Sequence, residues 1–214
     1  MNHGSEPALA VLLALRLESF APVEVVAATS DLPAAEVRAS LDLFALDGLV
    51  RYREGRRSGW SLTGEGRKEG ERLLGEELDR LGLRTQVQSS YQHFLTENPT
   101  MLHLCTDWQL RNDLGGDEPV LNQHDDPDYD RAVLLRLDEL HHRAQPIWRG
   151  LAQGLQRFVP YDHRFARAAE RVASGDHDWF TKPSIDSYHT VWFELHEHLL
   201  ATLGIERASE QVGE

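Results

Sequence analysis

The chain has 214 residues, 41% of them hydrophobic and 27% charged, with 35 Asp and Glu against 22 Lys and Arg and a formal net charge of −13. That length supports one large domain or two small ones around a sizeable core, and two are expected. A single cysteine, Cys105, excludes an internal disulfide, the apolar run at 8–15 is far short of the roughly 20 residues that span a bilayer, and no basic leader with a small-residue cleavage site opens the chain, so a cytoplasmic protein with no membrane partner is expected.

After a frayed start at residues 5–7, a largely apolar helix is predicted over 8–18 and a second over 22–29, opened by Pro22 in its first turn. Ser30-Asp31-Leu32 breaks the chain before Pro33 opens a third helix, 33–47, with Val37, Leu41, Phe44 and Ala45 at helical spacing. Gly48 can supply the positive φ that closes that helix. Leu49 to Arg53 alternates in part and is rich in Val and Tyr, Gly55 to Gly59 is turn-like, and Trp60 to Leu62 returns as a short strand, which together predict a β-hairpin. Thr63 then stands where its hydroxyl can cap a charged helix starting at Gly64.

The hairpin is basic. Arg51, Arg53, Arg56 and Arg57 place four cations in seven residues against Glu54, a local charge of +3 in an acidic chain. Guanidinium forks bind phosphate oxygens in a bidentate way, and Lys is nearly absent. A surface hairpin can also carry arginines for solubility alone, so it is the order helix, helix, turn, helix, hairpin, helix that points to nucleic acid.

Residues 8–82 resemble the MarR-type winged helix-turn-helix transcription regulators, with Gly48-Leu49-Val50 at the end of the recognition helix and Ser61-Leu62-Thr63-Gly64-Glu65-Gly66-Arg67 at the end of the wing. The resemblance covers a little over a third of the chain. It implies double-stranded DNA as partner, the third helix in the major groove, the wing on the backbone or minor groove, and a homodimer that sets two recognition helices about one DNA turn apart. Carried over by position, Ala34, Ala35, Arg38 and Ser40 lie on or near the exposed face of the third helix, and Arg51, Arg53, Arg56 and Arg57 form the wing contacts. The third helix departs from the usual pattern in carrying Glu36, Asp42 and Asp47 against Arg38 alone, with small Ala34 and Ala35 where polar base readers are common.

Residues 1–82 hold 10 Lys and Arg against 14 Asp and Glu, and 83–214 hold 12 against 21, so neither half is basic overall. A dimer needs positive potential only where it meets DNA, and negative charge elsewhere suppresses non-specific binding. The competing reading is a non-enzymatic module that uses a winged helix for protein contact.

The expected fold class is therefore mainly α: an N-terminal winged helix-turn-helix domain at 1–82 with a small β-hairpin, then an all-α domain at 83–214 for dimerisation and effector sensing. From Gly64, leucines at 73, 74, 78, 81 and 83 lead into Val87, Tyr91, Phe94 and Leu95, and further helices are predicted over 99–112, 130–158, 163–174 and 185–203. An irregular connector with Gly115-Gly116 is expected over 112–130, and a frayed end at 206–214.

The second half holds Trp108, Trp148, Trp179 and Trp192 and ten of the eleven histidines. One reading makes these histidines hydrogen-bonded core or boundary residues. Another walls a pocket for a small polar or anionic effector with Trp108, Trp148 and Trp192, oriented by His103, His141 and His196. A third places a metal at Glu139-Leu140-His141-His142 or Glu194-Leu195-His196-Glu197-His198, against which stands the lack of a clean second Glu-x-x-His. Cys105, between Leu102, Leu104 and Trp108, reads as a small core residue. No phosphate loop, nucleophile elbow or Cys-His or Ser-His signature is present, so no enzyme and no cofactor is expected; a ligand-responsive repressor is the simplest regulator of this kind.

Overall fold

A computed structural model describes residues 3–111 and 118–206. The chain is mainly helical, with small antiparallel two-stranded sheets, and divides into two compact units, Gln88–His196 and His3–Val87 with the C-terminal segment from Glu197. Among the described residues no helix is long and apolar enough to cross a membrane. The expected ends of the chain and Gly115-Gly116 lie outside the described residues, apart from 5–7 and Glu206.

In the unit of residues 3–87, helices α1 (Pro7–Glu18), α2 (Val23–Ser30) and α3 (Ala34–Leu46) precede a hairpin of β1 (Val50–Arg53) and β2 (Gly59–Leu62), and α4 (Gly64–Leu81) follows. The local signals act as their chemistry dictates. Pro22 and Pro33 are the N-cap residues of α2 and α3, Asp31 turns the chain in the left-handed region, and Gly48 closes α3 at φ 70°. The core is built from Val11, Leu12, Leu15, Val26, Val37, Leu41, Val50 and Trp60. Of the apolar series expected to bury α3, Val37 and Leu41 are buried, Phe44 is half-buried and Ala45 is exposed.

Register in the hairpin pairs Val50 with Leu62 and Arg53 with Gly59. Its return strand is also tied to the α1–α2 loop, because Trp60 N donates to Ala21 O at 2.7 Å and Ala21 N to Trp60 O at 3.0 Å. Gly59 permits that approach, since a Cβ there would sit 2.9 Å from Ala21 backbone atoms. Leu9, Leu13, Leu74 and Ala201 make a second, smaller cluster of this unit, which brings in the C-terminal end of α9 (Tyr188–Leu203).

In the other unit, α5 (Arg84–Gln109) and α6 (Pro127–Gly154) are joined across their lengths by Arg136 Nη1 to Asp107 Oδ2 at 2.7 Å and by Arg143 Nη2 to Glu97 Oε2 at 3.1 Å. A 3-10 turn (Gln156–Phe158), α7 (Pro160–Ala173), the one-turn α8 (Asp178–Thr181) and α9 complete it. The expected break before Pro99 is absent: α5 runs through Pro99 as one helix. A proline inside a helix costs about 3 kcal/mol, and burial of Tyr91, Phe94, Met101 and Leu104 on either side outweighs it.

Two further expectations are corrected. This half is not wholly helical, since β3 (Leu110–Arg111), at the end of the helix predicted over 99–112, pairs antiparallel with β4 (Val120–Leu121), inside the stretch read as irregular. And α6 starts at Pro127 rather than 130, because Asp126 caps it, its Oδ1 accepting from Asp128 N at 3.2 Å and Tyr129 N at 3.1 Å.

Candidate functional site

The basic hairpin is held at its base and open at its tip. Thr63 is the anchor: its hydroxyl lies 2.7 Å from Gly48 O and 3.1 Å from Leu49 O, accepts from Gly66 N at 3.1 Å, and its own N donates to Leu49 O at 2.9 Å. One residue thus joins the end of α3, the start of β1 and the N-terminus of α4. On the strands, Arg51 Nε donates to Ser61 Oγ at 3.3 Å, the Arg53 guanidinium lies 4.6 Å over the Phe20 ring, and Tyr52 packs on Trp60 with ring centroids 5.2 Å apart. At the tip Gly55 N donates to Ser58 Oγ, and Arg56 and Arg57 are exposed.

All eight residues expected to meet DNA lie at the surface or near it. Ala34, Ala35, Arg38, Arg51, Arg53, Arg56 and Arg57 are exposed, and Ser40 is half-buried. The exposed face of α3 also carries Glu36, Asp42 and Asp47, and Leu43 and Leu46 are 61% and 85% exposed. Those two leucines were not singled out from the sequence, where apolar residues on a short helix read as core.

The six residues of the expected effector pocket do not form one group. His103 is exposed on α5. Trp108 belongs to a cluster with His124, His177 and Phe180, at centroid distances of 4.3, 5.1 and 5.2 Å. The other four are buried in a continuous aromatic stack: His141 on Trp148 and Tyr188, Trp148 on Phe165 at 4.2 Å, Trp192 on Phe94 at 4.7 Å, and His196 on Phe94 at 4.7 Å. Their polar atoms are engaged within the protein. Trp148 Nε1 donates to Asp162 Oδ1 at 3.0 Å, Trp192 Nε1 donates to Asn98 Oδ1 at 2.9 Å, and His141 lies between the Tyr188 hydroxyl and Gln145. An opening of about 530 Å³ is lined by Arg111, Val120, Leu121, Gln123, Asp125 and Asp126, and by none of the six.

Burial, reinforced by the neighbouring His142, lowers the pKa of His141 from its ordinary 6.5. The unfolded chain then takes up a proton at this position before the folded chain does. Stability from His141 is full above about pH 6.5 and declines as pH falls toward the folded-state value. Urea midpoints measured between pH 7.5 and 5.5 are expected to fall, and His141→Gln, which cannot titrate, to give a flatter decline.

Around His124 the structure brings together residues that sequence reasoning missed. Asn122 Nδ2 donates to Asp130 Oδ1 at 2.9 Å and to Trp108 O at 3.1 Å, His124 N donates to Asn122 Oδ1 at 3.1 Å, and His124 Nδ1 lies 2.9 Å from Asp130 Oδ2. His124 has φ 58° and its side chain is 37% exposed, while Asp130 is buried. The available signal was the Asn-x-His spacing, in which an asparagine side chain hydrogen-bonds the backbone two residues on and favours a turn.

Among the described residues no group of three His, Cys, Asp or Glu is placed to hold a metal ion. The motifs read as possible ligands are engaged otherwise: His142 Nδ1 contacts Asp138 O at 2.8 Å, and Glu194 pairs with Arg164 at 2.5 Å. Cys105 is buried, which pushes its thiol up to about 12. Its thiolate is then scarcer than that of an exposed cysteine by roughly a thousandfold near neutral pH. Thiol-specific labelling of the native protein is expected to be much slower than after unfolding; equally fast native labelling would contradict this burial.

Comparisons with protein-family models, with characterised proteins and with solved structures gave no match to the chain.

Proposed function

We propose that the chain is a sequence-specific, double-stranded-DNA-binding transcription regulator in which α2, α3 and the β1–β2 hairpin act as a winged helix-turn-helix of the MarR type. The observation that carries this reading is the exposed run Arg51, Arg53, Arg56 and Arg57 on a hairpin between α3 and α4, in a chain of net charge −13. Concentrating positive charge on one element of an acidic chain suits phosphate contact, because the negative charge elsewhere repels the duplex. Arg38, exposed on α3, is the natural base reader, with Arg–guanine pairing its commonest mode. The helical unit is read as dimer-forming, and repression relieved by a small polar or anionic effector is the regulatory scheme.

The test is a binding titration of the purified chain against the DNA upstream of its own coding region and against a scrambled duplex, at two salt concentrations. Binding that prefers the native region and weakens with salt supports the reading; a folded protein that binds neither duplex refutes it.

A second reading is favoured by one specific observation, the exposed Leu43 and Leu46 among Glu36, Asp42 and Asp47 on α3. Such a face suits a protein partner better than a phosphate backbone, and it makes the element a winged helix used for protein contact.

A further inference from the structure

The exposed face of α3 and the hairpin that follows it have opposite chemistry. Asp42, Leu43 and Leu46 lie in the last turns of α3 and Asp47 is its C-cap, with Leu43 and Leu46 three apart and so neighbours on the helix surface. Four residues beyond the helix, β1 begins, and the exposed side chains become Arg51, Tyr52, Arg53, Arg56 and Arg57. An acidic, apolar strip therefore adjoins a basic one.

A pair of adjoining strips of opposite sign is complementary to its own copy turned about a two-fold axis between them, since each acidic strip then meets the other copy's basic strip. Net repulsion between two copies of charge −13 opposes this only over distances that salt screens beyond about 10 Å at 0.1 M. Contacts at hydrogen-bond distance are screened far less. The leucines face the aliphatic stems of the other copy's arginines, which can cover apolar surface that solvent leaves exposed.

We propose that the free protein docks on a second copy through this face, Asp42, Leu43, Leu46 and Asp47 of α3 against Arg51, Arg53, Arg56 and Arg57 of the other copy's hairpin. Docking covers the same arginines that the DNA reading assigns to phosphate, so a duplex and a second copy compete for the hairpin. The docking itself stands independently of that reading; the competition rests on it.

Sedimentation equilibrium of the full chain over a range of concentrations tests the docking, the self-association followed being the step that substitutions on this face alter and not a dimer held by the helical unit, which they leave in place. Leu46→Asp is expected to weaken self-association at least tenfold, as is the pair Asp42→Arg and Asp47→Arg, or the pair Arg56→Asp and Arg57→Asp. Combining the two charge-reversal pairs in one chain is expected to restore association to within about threefold of the unaltered protein. These positions are exposed, and circular dichroism identifies any variant that misfolds; if Leu46→Asp does, the charge reversals decide the matter alone. Unchanged association in the single-pair variants, or no recovery in the combined one, overturns the docking. A duplex that binds and dissolves self-association supports the competition, and one that binds while leaving it intact overturns it. If no duplex binds, the DNA reading falls and the sedimentation result still decides the docking.

Discussion

Gly66→Ala is expected to destabilise the unit of residues 3–87 by about 3 kcal/mol, the upper end of ordinary overpacking costs, and to lower its melting temperature by roughly 12–24 °C. A Cβ at Gly66 would fall on the Leu49 carbonyl oxygen, with the Leu49 carbonyl carbon 2.8 Å away. Neither partner can yield cheaply. Leu49 O accepts from Thr63 N, and Gly66 N donates to Thr63 Oγ1, so moving α4 aside breaks the knot that holds the hairpin to both helices. Alanine gains about 1 kcal/mol of helix propensity over glycine, which the overlap exceeds. Gly64→Ala is the control, because a Cβ there meets nothing within 4 Å, and it is expected to be neutral or mildly stabilising. Differential scanning calorimetry of the two variants against the parent decides the point; equal melting temperatures would sink this account of Gly66.

Arg56→Ala with Arg57→Ala is expected to weaken binding to every duplex by about tenfold for each arginine removed, in line with about 1.5 kcal/mol for a charge-assisted hydrogen bond. Both side chains are exposed, so the melting temperature should not move. If each guanidinium neutralises one phosphate, the slope of log K against log salt should become shallower by about 1.8. Lysine at both positions keeps the charge and should keep most of the slope, while losing the bidentate fit that fixes register. Arg38→Ala should behave differently, changing which sequence is preferred with little effect on binding to scrambled DNA. An unaltered slope in the double alanine variant would remove the hairpin tip from the interface.

What was legible in the sequence is what local chemistry determines. Pro22, Pro33, Gly48 and Thr63 act within a few residues of themselves, and each marks a boundary within one or two positions of where the structure has it. The arginines of the hairpin were equally plain, because a turn tip leaves no alternative to solvent. Long-range packing was not legible. Pro99 looks like a helix start until its flanks are seen to be buried, and the β3–β4 pair joins residues nine or more apart. Leu43 and Leu46 carry the same hydrophobicity as Leu41, and only the angular position of each on α3 separates core from surface. The density of histidines and tryptophans in the second half is plain in the sequence, yet their grouping into a buried stack on one hand and the Trp108–His124–His177 cluster on the other depends on which helices meet.

The way the hairpin is fastened has a consequence for how such a protein can change over generations. Its base is fixed by the Ala21–Trp60 pairing, the Thr63 hydroxyl and the Arg53–Phe20 stack, whereas residues 54–57 are exposed. Substitution, lengthening or shortening at the tip therefore draws little on the stability of the surrounding unit. Affinity at the tip and integrity of the scaffold can drift separately, so a lineage, or a designer, could exchange the loop for one of different charge or reach and inherit an intact fold on which to select it.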